Sequence, residues 1–184
     1  MIRAMLYSLF LIVAGLFPTN TADSYTLNAY DFSFKDIDGN NMKLKDYKGK
    51  VLLLINSASF CGFTSQYKAM QELWDNYKDK DFVLIAVPSN DFYQESDSEE
   101  EVKNFCERTF GVNFPMTSIT SVRGKNAHPF YKWAKLTYGN TTVPKWNFHK
   151  ILVNKEGKIV DTFSSVTNPN SRKIISKIDS LLLN

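Results

Sequence analysis

The segment LLLINSASFCGFTSQY, Leu52 to Tyr67, runs from an apolar stretch into small polar residues around one cysteine, Cys61. That places a thiol just past a strand and just before a helix, where open α/β sheets put their active sites. Backbone N–H groups at a helix start favour negative charge, and the thiolate is the reactive form of cysteine. A reactive cysteine suits this position, although a free thiol is also a common small core residue. The neighbours Ser57, Ser59, Gly62, Thr64 and Ser65 weigh towards reactivity, because buried hydroxyls need partners and Gly62 lets the chain turn.

The same residues exclude several thiol chemistries. Position 64 is threonine, so the paired thiols of a Cys-x-x-Cys motif are missing. Two cysteines and two histidines without ligand spacing do not make a zinc site. A cysteine hydrolase needs a histidine beside its nucleophile. His128 precedes Pro129 at a helix start and His149 lies within a strand pattern, so both read as structural or surface residues. Cys61 and Cys106 are too few for a disulfide scaffold, which leaves one structural bridge or a redox pair.

The elements that must hold Cys61 are written in the hydrophobic pattern. Arg3 followed by the apolar run Met5 to Phe17 reads as a secretory signal, or as an uncleaved N-terminal anchor, over residues 1–22. Residues 23–184 are then one domain. Phe32 and Phe34, a turn at Asp38-Gly39, and Met42 and Leu44 predict a hairpin. Val51–Ile55 and Phe82–Val87 are continuous apolar runs, the pattern of strands covered on both faces. Met70, Leu73, Trp74 and Tyr77 recur at helical spacing between them, which makes a crossover joining parallel strands. A second helix is capped by Ser98 and Glu101 and carries Val102, Phe105 and Cys106 on one face. A third runs from Pro129 through Trp133 and Leu136 to Gly139. Two strands around Asn154–Gly157 and a last helix with Ile174, Ile175, Ile178, Leu181 and Leu182 complete the chain. The order β-β-β-α-β-α-α-β-β-α predicts an α/β protein of thioredoxin-like fold, a central mixed sheet flanked by helices with an extra N-terminal β-hairpin.

A net charge of +3, or +2 once Arg3 is removed with a signal, offers no nucleic-acid face. The acidic run ESDSEEE, Glu95 to Glu101, reads as the solvated start of a helix.

Several segments taken together make the chain resemble the glutathione peroxidase family. INSASFCGFTSQY is similar to that family's active-site segment, with Cys61 at the peroxidatic position. VPSNDFYQE, Val87 to Glu95, resembles its second segment and places Gln94 at the catalytic glutamine. KWNFHKILV, Lys145 to Val153, resembles the third and supplies Trp146 and Asn147; FGVNFPM and AHPFYKW match as well. The resemblance covers roughly Asp31 to Leu183. Tyr93 stands where the family usually has glycine, and the loop before Gln94 is one residue shorter. Ser89 replaces a cysteine found in many members, and no insertion of the tetrameric members follows Leu136, so the resemblance implies a monomer.

What the resemblance implies is peroxide reduction, as part of the response to oxidative stress. A thiolate attacks one peroxide oxygen, and the amides of Gln94 and Asn147 with the Trp146 indole donate hydrogen bonds to the charges that develop. Cys61 becomes a sulfenic acid, and Cys106 is then the resolving thiol that condenses with it. A bridge needs Cα atoms within about 7 Å, so the helix around Cys106 must unwind locally. No cofactor is implied. The partners are a hydroperoxide and an external thiol reductant, either a thioredoxin-like or disulfide-oxidoreductase donor or glutathione. In an exported protein the donor is exported too. Two other readings stay open on the residues alone: a thiol oxidase that passes oxidising equivalents to proteins, and a binding module in which Cys61 and Cys106 form a fixed bridge. A peroxiredoxin is disfavoured, because Ala58 breaks the Thr-x-x-Cys pattern.

Overall fold

Strand β1 (Ser33–Lys35) pairs antiparallel with β2 (Asn41–Lys43), setting Phe34 opposite Met42. Both side chains are buried between exposed neighbours, the alternation of a sheet wet on one face. The computed structural model that shows this describes residues 26–183. The expected signal segment therefore lies outside the described residues. The hairpin turn is held by the Asp36 carboxylate, which accepts the N–H groups of Asp38 and Asn40.

Strand β3 (Val51–Ser57) is buried at every position. It leads through helix α1 (Gln66–Tyr77) to β4 (Phe82–Pro88), which is buried throughout and parallel to β3, from Val51 opposite Phe82 to Ser57 opposite Pro88. Helices α2 (Glu99–Phe110) and α3 (Pro129–Tyr138) follow. Strands β5 (Lys150–Val153) and β6 (Ile159–Phe163) and helix α4 (Arg172–Leu183) close the order expected from the sequence. The main sheet runs β4-β3-β5-β6. Because β5 is antiparallel to β3, with Ile55 opposite Lys150, the ends of β3 and β4 and the beginning of β5 meet at one edge.

The continuous apolar runs have a physical reason: alternate residues of each strand enter different cores. Val51, Leu53 and Ile55 pack with Met70 and Leu73 of α1, Val102 and Cys106 of α2, and Ile174 and Ile178 of α4. Leu52 and Leu54 face Phe34, Met42 and the α3 residues Phe130 and Trp133. Each such aliphatic side chain contributes about 1.5–3 kcal/mol by leaving water. Leu136 of α3 is instead exposed, on the face turned from the sheet.

Caps and turns differ in detail from expectation. Ser98 Oγ accepts the Glu101 N–H as predicted. The Glu101 carboxylate, however, accepts from Ser96 Oγ at 2.6 Å, and the Ser98 N–H donates to that same oxygen. Ser96 relays the reciprocal half of the capping box. His128 caps α3 by accepting the Phe130 N–H, stacks on Phe34 at 4.0 Å and contacts the Ser33 carbonyl. Its role is structural.

Gly157, between β5 and β6, has φ +80, and its carbonyl accepts the Ala29 N–H. A Cβ there would lie 2.7 Å from Asn28 Oδ1 and 2.8 Å from Tyr30 Cδ2. Gly157→Ala is therefore expected to destabilise the protein by about 3 kcal/mol, combining left-handed backbone strain with a clash. Urea denaturation checks this, and an unchanged midpoint would contradict the close approach.

Candidate active site

Cys61 lies in the turn between β3 and α1 and is only 4% exposed. The Phe63 N–H donates to its Sγ at 3.5 Å, and the Thr64 N–H to its carbonyl at 3.1 Å. Two expectations about this turn need correction. Gly62 is outside the left-handed region and a Cβ would meet nothing within 4 Å, so the turn does not require glycine. The small polar residues also divide: Gly62 and Ser65 are exposed and Thr64 is half-buried, whereas Ser57 and Ser59 are buried, beside Tyr67 and Glu95 respectively.

The loop after β4 is tied to this turn. The Phe60 N–H donates to the Gln94 carbonyl at 2.9 Å, and the Ser59 N–H to Glu95 Oε1 at 3.0 Å. Tyr93, in the position resembling a glycine of the family, has φ 58 and is 93% exposed. A tyrosine thus occupies left-handed backbone with its ring in solvent, immediately before Gln94. Gln94 Oε1 accepts from Asn147 Nδ2 at 3.0 Å. Asn147 itself is fully buried, and its Oδ1 has no partner.

Residues 146–149 are anchored by Asn56, in β3. Its Nδ2 donates to the Trp146 carbonyl at 3.2 Å, its carbonyl accepts the Phe148 N–H, and its Oδ1 accepts the His149 N–H at 3.0 Å. Phe148 is buried at φ 61, a strained conformation of the kind that clusters at functional sites. Trp146 is 42% exposed, with its ring 5.4 Å from that of Phe92. Hydrogen bonds thus connect the Cys61 turn, Gln94 and Asn147, with the Trp146 main chain held by the same strand.

Cys106 stands apart, fully buried on α2 within the core cluster that also contains Cys61. Both are free thiols. Burial pushes the Cys106 thiol up to about 12, with the Tyr67 hydroxyl beside it pulling the other way and Glu95 and Glu107 adding to the rise.

Three residues at the site were not legible as such. Asn56 looks like one polar residue ending an apolar run. Glu95, read as the start of a solvated acidic stretch, is only 5% exposed; burial raises its carboxyl, opposed by bonds from Ser59 and Ser96. Lys150 is buried completely, its Nζ donating to Gln66 Oε1 at 2.6 Å and to the Ser165 and Thr167 carbonyls. His149 precedes β5 rather than lying in it, and burial, aided by Lys150 and Lys145, pushes it down to about 4.

Burial likewise lowers Lys150 from 10.5 to about 7. Above pH 7 the unfolded chain holds a proton that the folded chain has released, so stability rises with pH. The gain approaches about 1.4 kcal/mol per pH unit, until the buried Cys106 works in the opposite sense above pH 9. Between pH 7 and 8.5 wild type is expected to gain stability relative to Lys150→Met by about 1.6 kcal/mol. Urea titrations at the two pH values read the difference, and a constant offset would contradict it.

Comparison with known proteins accounts for this edge of the sheet. The glutathione peroxidase family model matches residues 29–135, a span that includes Cys61, Gln94 and Cys106. The chain belongs to the glutathione peroxidase family. It is 40% identical over 162 residues to the hydroperoxy fatty acid reductase of Synechocystis, covering 83% of this chain and 95% of that one. It is 42% identical over 161 residues to glutathione peroxidase-like peroxiredoxin 2 of Saccharomyces cerevisiae, covering 85% and 98%. The crystal structure of apo Trgpx superposes with a TM-score of 0.67 at 35% identity, covering 87% of this chain and 98% of that one. As a glutathione peroxidase family member with a thioredoxin-like fold, the protein is a thiol-dependent peroxidase.

Proposed function

We propose that Cys61 is the peroxidatic thiol of a two-cysteine peroxidase and that Cys106 resolves it. The observation that carries this reading is the bonded path from the Cys61 turn to Gln94 and on to Asn147. With Gln94 Oε1 occupied by Asn147, the Nε2 end of Gln94 is left to donate. Cys61 Sγ attacks one peroxide oxygen, the O–O bond breaks, and the other oxygen leaves as water or alcohol after gaining a proton. Amide donors from Gln94 and Asn147, and the Trp146 indole, stabilise negative charge without competing as nucleophiles.

The substrate favoured by this reading is an organic hydroperoxide. Phe60 at 67%, Tyr93 at 93% and Trp146 at 42% exposure put aromatic surface on each segment that carries a proposed site residue, which suits an apolar chain beside the peroxide group. The Synechocystis relative bears the name of a fatty acid hydroperoxide reductase. The electron donor in this reading is a thioredoxin-like protein and no bound cofactor takes part. Residues 1–22 serve as an export signal or anchor, and the enzyme works as a monomer.

Intact mass and free-thiol titration of reduced protein, before and after one equivalent of cumene hydroperoxide, test the reading. Loss of both thiols with a mass decrease of two hydrogens is expected. Retention of both thiols while the hydroperoxide persists would overturn it.

A further inference from the structure

A polar group of buried atoms lies beneath the Cys61 turn. Glu95 Oε1 is fixed by the N–H groups of Ser59 at 3.0 Å and Ser96 at 2.9 Å. Glu95 Oε2 is buried with no well-aligned donor, the Ser59 side chain lies against the same carboxylate, and the Tyr67 hydroxyl sits between the side chains of Ser57 and Cys106. Tyr67 is completely buried on α1 and interacts electrostatically with both Cys106 and Glu95. Tyr67 of α1 and Cys106 of α2 are two titratable groups that feel the Glu95 carboxyl. A carboxylate buried this deeply is costly, and this one is tied two residues before Cys61 and interacts electrostatically with Cys106.

We propose that Glu95 is the proton-transfer residue of the resolving step, taking the proton of the Cys106 thiol and delivering it to the hydroxyl that leaves Cys61. The proposal rests on the reading of Cys61 and Cys106 given above. Glu95 is suited to the task because its main-chain bonds hold it to the segment just before Cys61. It therefore stays at the reaction centre when α2 unwinds to bring Cys106 in. Oε1 keeps those structural bonds while Oε2 exchanges the proton, so the two functions fall on different atoms.

The step balances without further reagents. The Cys106 sulfur supplies the electron pair of the new S–S bond, and the S–O bond of the sulfenic acid breaks with its pair going to oxygen. The proton of Cys106 passes to Glu95 Oε2 and from there to the departing hydroxide, which leaves as water. The sulfenic sulfur is reduced as the thiol sulfur is oxidised. In the intact helix burial holds the Cys106 thiol in its protonated form, so its proton needs an acceptor when the thiol attacks. The raised carboxyl of Glu95 lies nearer to neutrality than an exposed one, where one group can both accept and return a proton.

Glu95→Gln is the test, because the amide oxygen preserves both bonds at Oε1 while the exchanging oxygen is lost. Single-turnover mixing with cumene hydroperoxide separates peroxide consumption from disulfide formation. Peroxide consumption is expected within about twofold of wild type, while disulfide formation slows by about a hundredfold or more. Cys61 sulfenic acid then accumulates and is captured by dimedone. The slowed step also rises more steeply with pH than in wild type, as thiolate formed by solvent base replaces the lost acceptor. Disulfide formation at the wild-type rate overturns the proposal, and so does equal slowing of both steps, which marks a structural role. If Glu95→Gln fails to fold, wild type decides: a solvent deuterium isotope effect on disulfide formation, absent from peroxide consumption, is expected, and its absence overturns the proposal. Wild type that forms neither sulfenic acid nor disulfide refutes the reading of Cys61 itself, a result distinct from slow resolution.

Discussion

Cys61→Ser is expected to lose peroxidase activity by a factor on the order of 10⁴ or more, the scale on which removal of an enzyme nucleophile is felt. Serine places a smaller oxygen at the same point of the turn, on the side of the Phe63 N–H. What changes is chemistry: a hydroxyl stays protonated near neutrality and cannot open an O–O bond, whereas a thiolate can. Stability should change little, by about 1 kcal/mol, because a buried hydroxyl must replace a buried sulfur in a site with one main-chain donor. The loss therefore belongs to the reaction rather than to the fold. Initial rates of hydroperoxide consumption, with circular dichroism as a control, check both parts. Residual activity within tenfold of wild type would remove Cys61 from the mechanism.

Cys106→Ser is expected to act on a different step. Its first turnover should be as fast as that of wild type, since Cys106 is not bonded to Gln94, Asn147 or the Cys61 turn. Steady turnover with a thioredoxin-like donor should fall by about 10²-fold, because exchange with such a donor needs a disulfide to attack. The mass of Cys61 should rise by one oxygen after one equivalent of hydroperoxide, and by a second after excess, as the unprotected sulfenic acid climbs to sulfinic acid. Mass spectrometry under single-turnover and excess conditions reads both. Undiminished turnover would show that the donor reduces the sulfenic acid directly and that Cys106 is only core.

The parts of the fold that were legible are those in which packing repeats. Met70, Leu73 and Tyr77 are buried on α1 because helical spacing turns them all to the sheet. Ile174 and Ile178 do the same on α4. The runs in β3 and β4 read as strands because both faces of the sheet are covered. Charged residues gave no such warning. Lys150 opens an apolar strand and Glu95 opens an acidic run, and a charge in either setting ordinarily reads as solvent-facing. Both are instead buried with local hydrogen bonds that no periodicity reports. The left-handed Phe148 was equally silent, because the Asn56 bonds that accompany it cross from another strand. Gly62 erred the other way: glycine suggested a conformational need that the turn does not have.

The anchoring of residues 146–149 by Asn56 also orders events in time. Asn56 and Cys61 are synthesised early, and Trp146 follows Cys61 by 146 − 61 = 85 residues. At a translation rate of about 5–20 residues per second, roughly 4–17 s separate the thiol from the groups proposed to serve it. β3 cannot gain its β5 neighbour, nor Gln94 its Asn147 contact, until residues 147–153 have emerged. A nascent chain, or one truncated before β5, therefore lacks the Gln94–Asn147 bond, and in the proposed mechanism its thiol becomes competent only once β5 has joined the sheet.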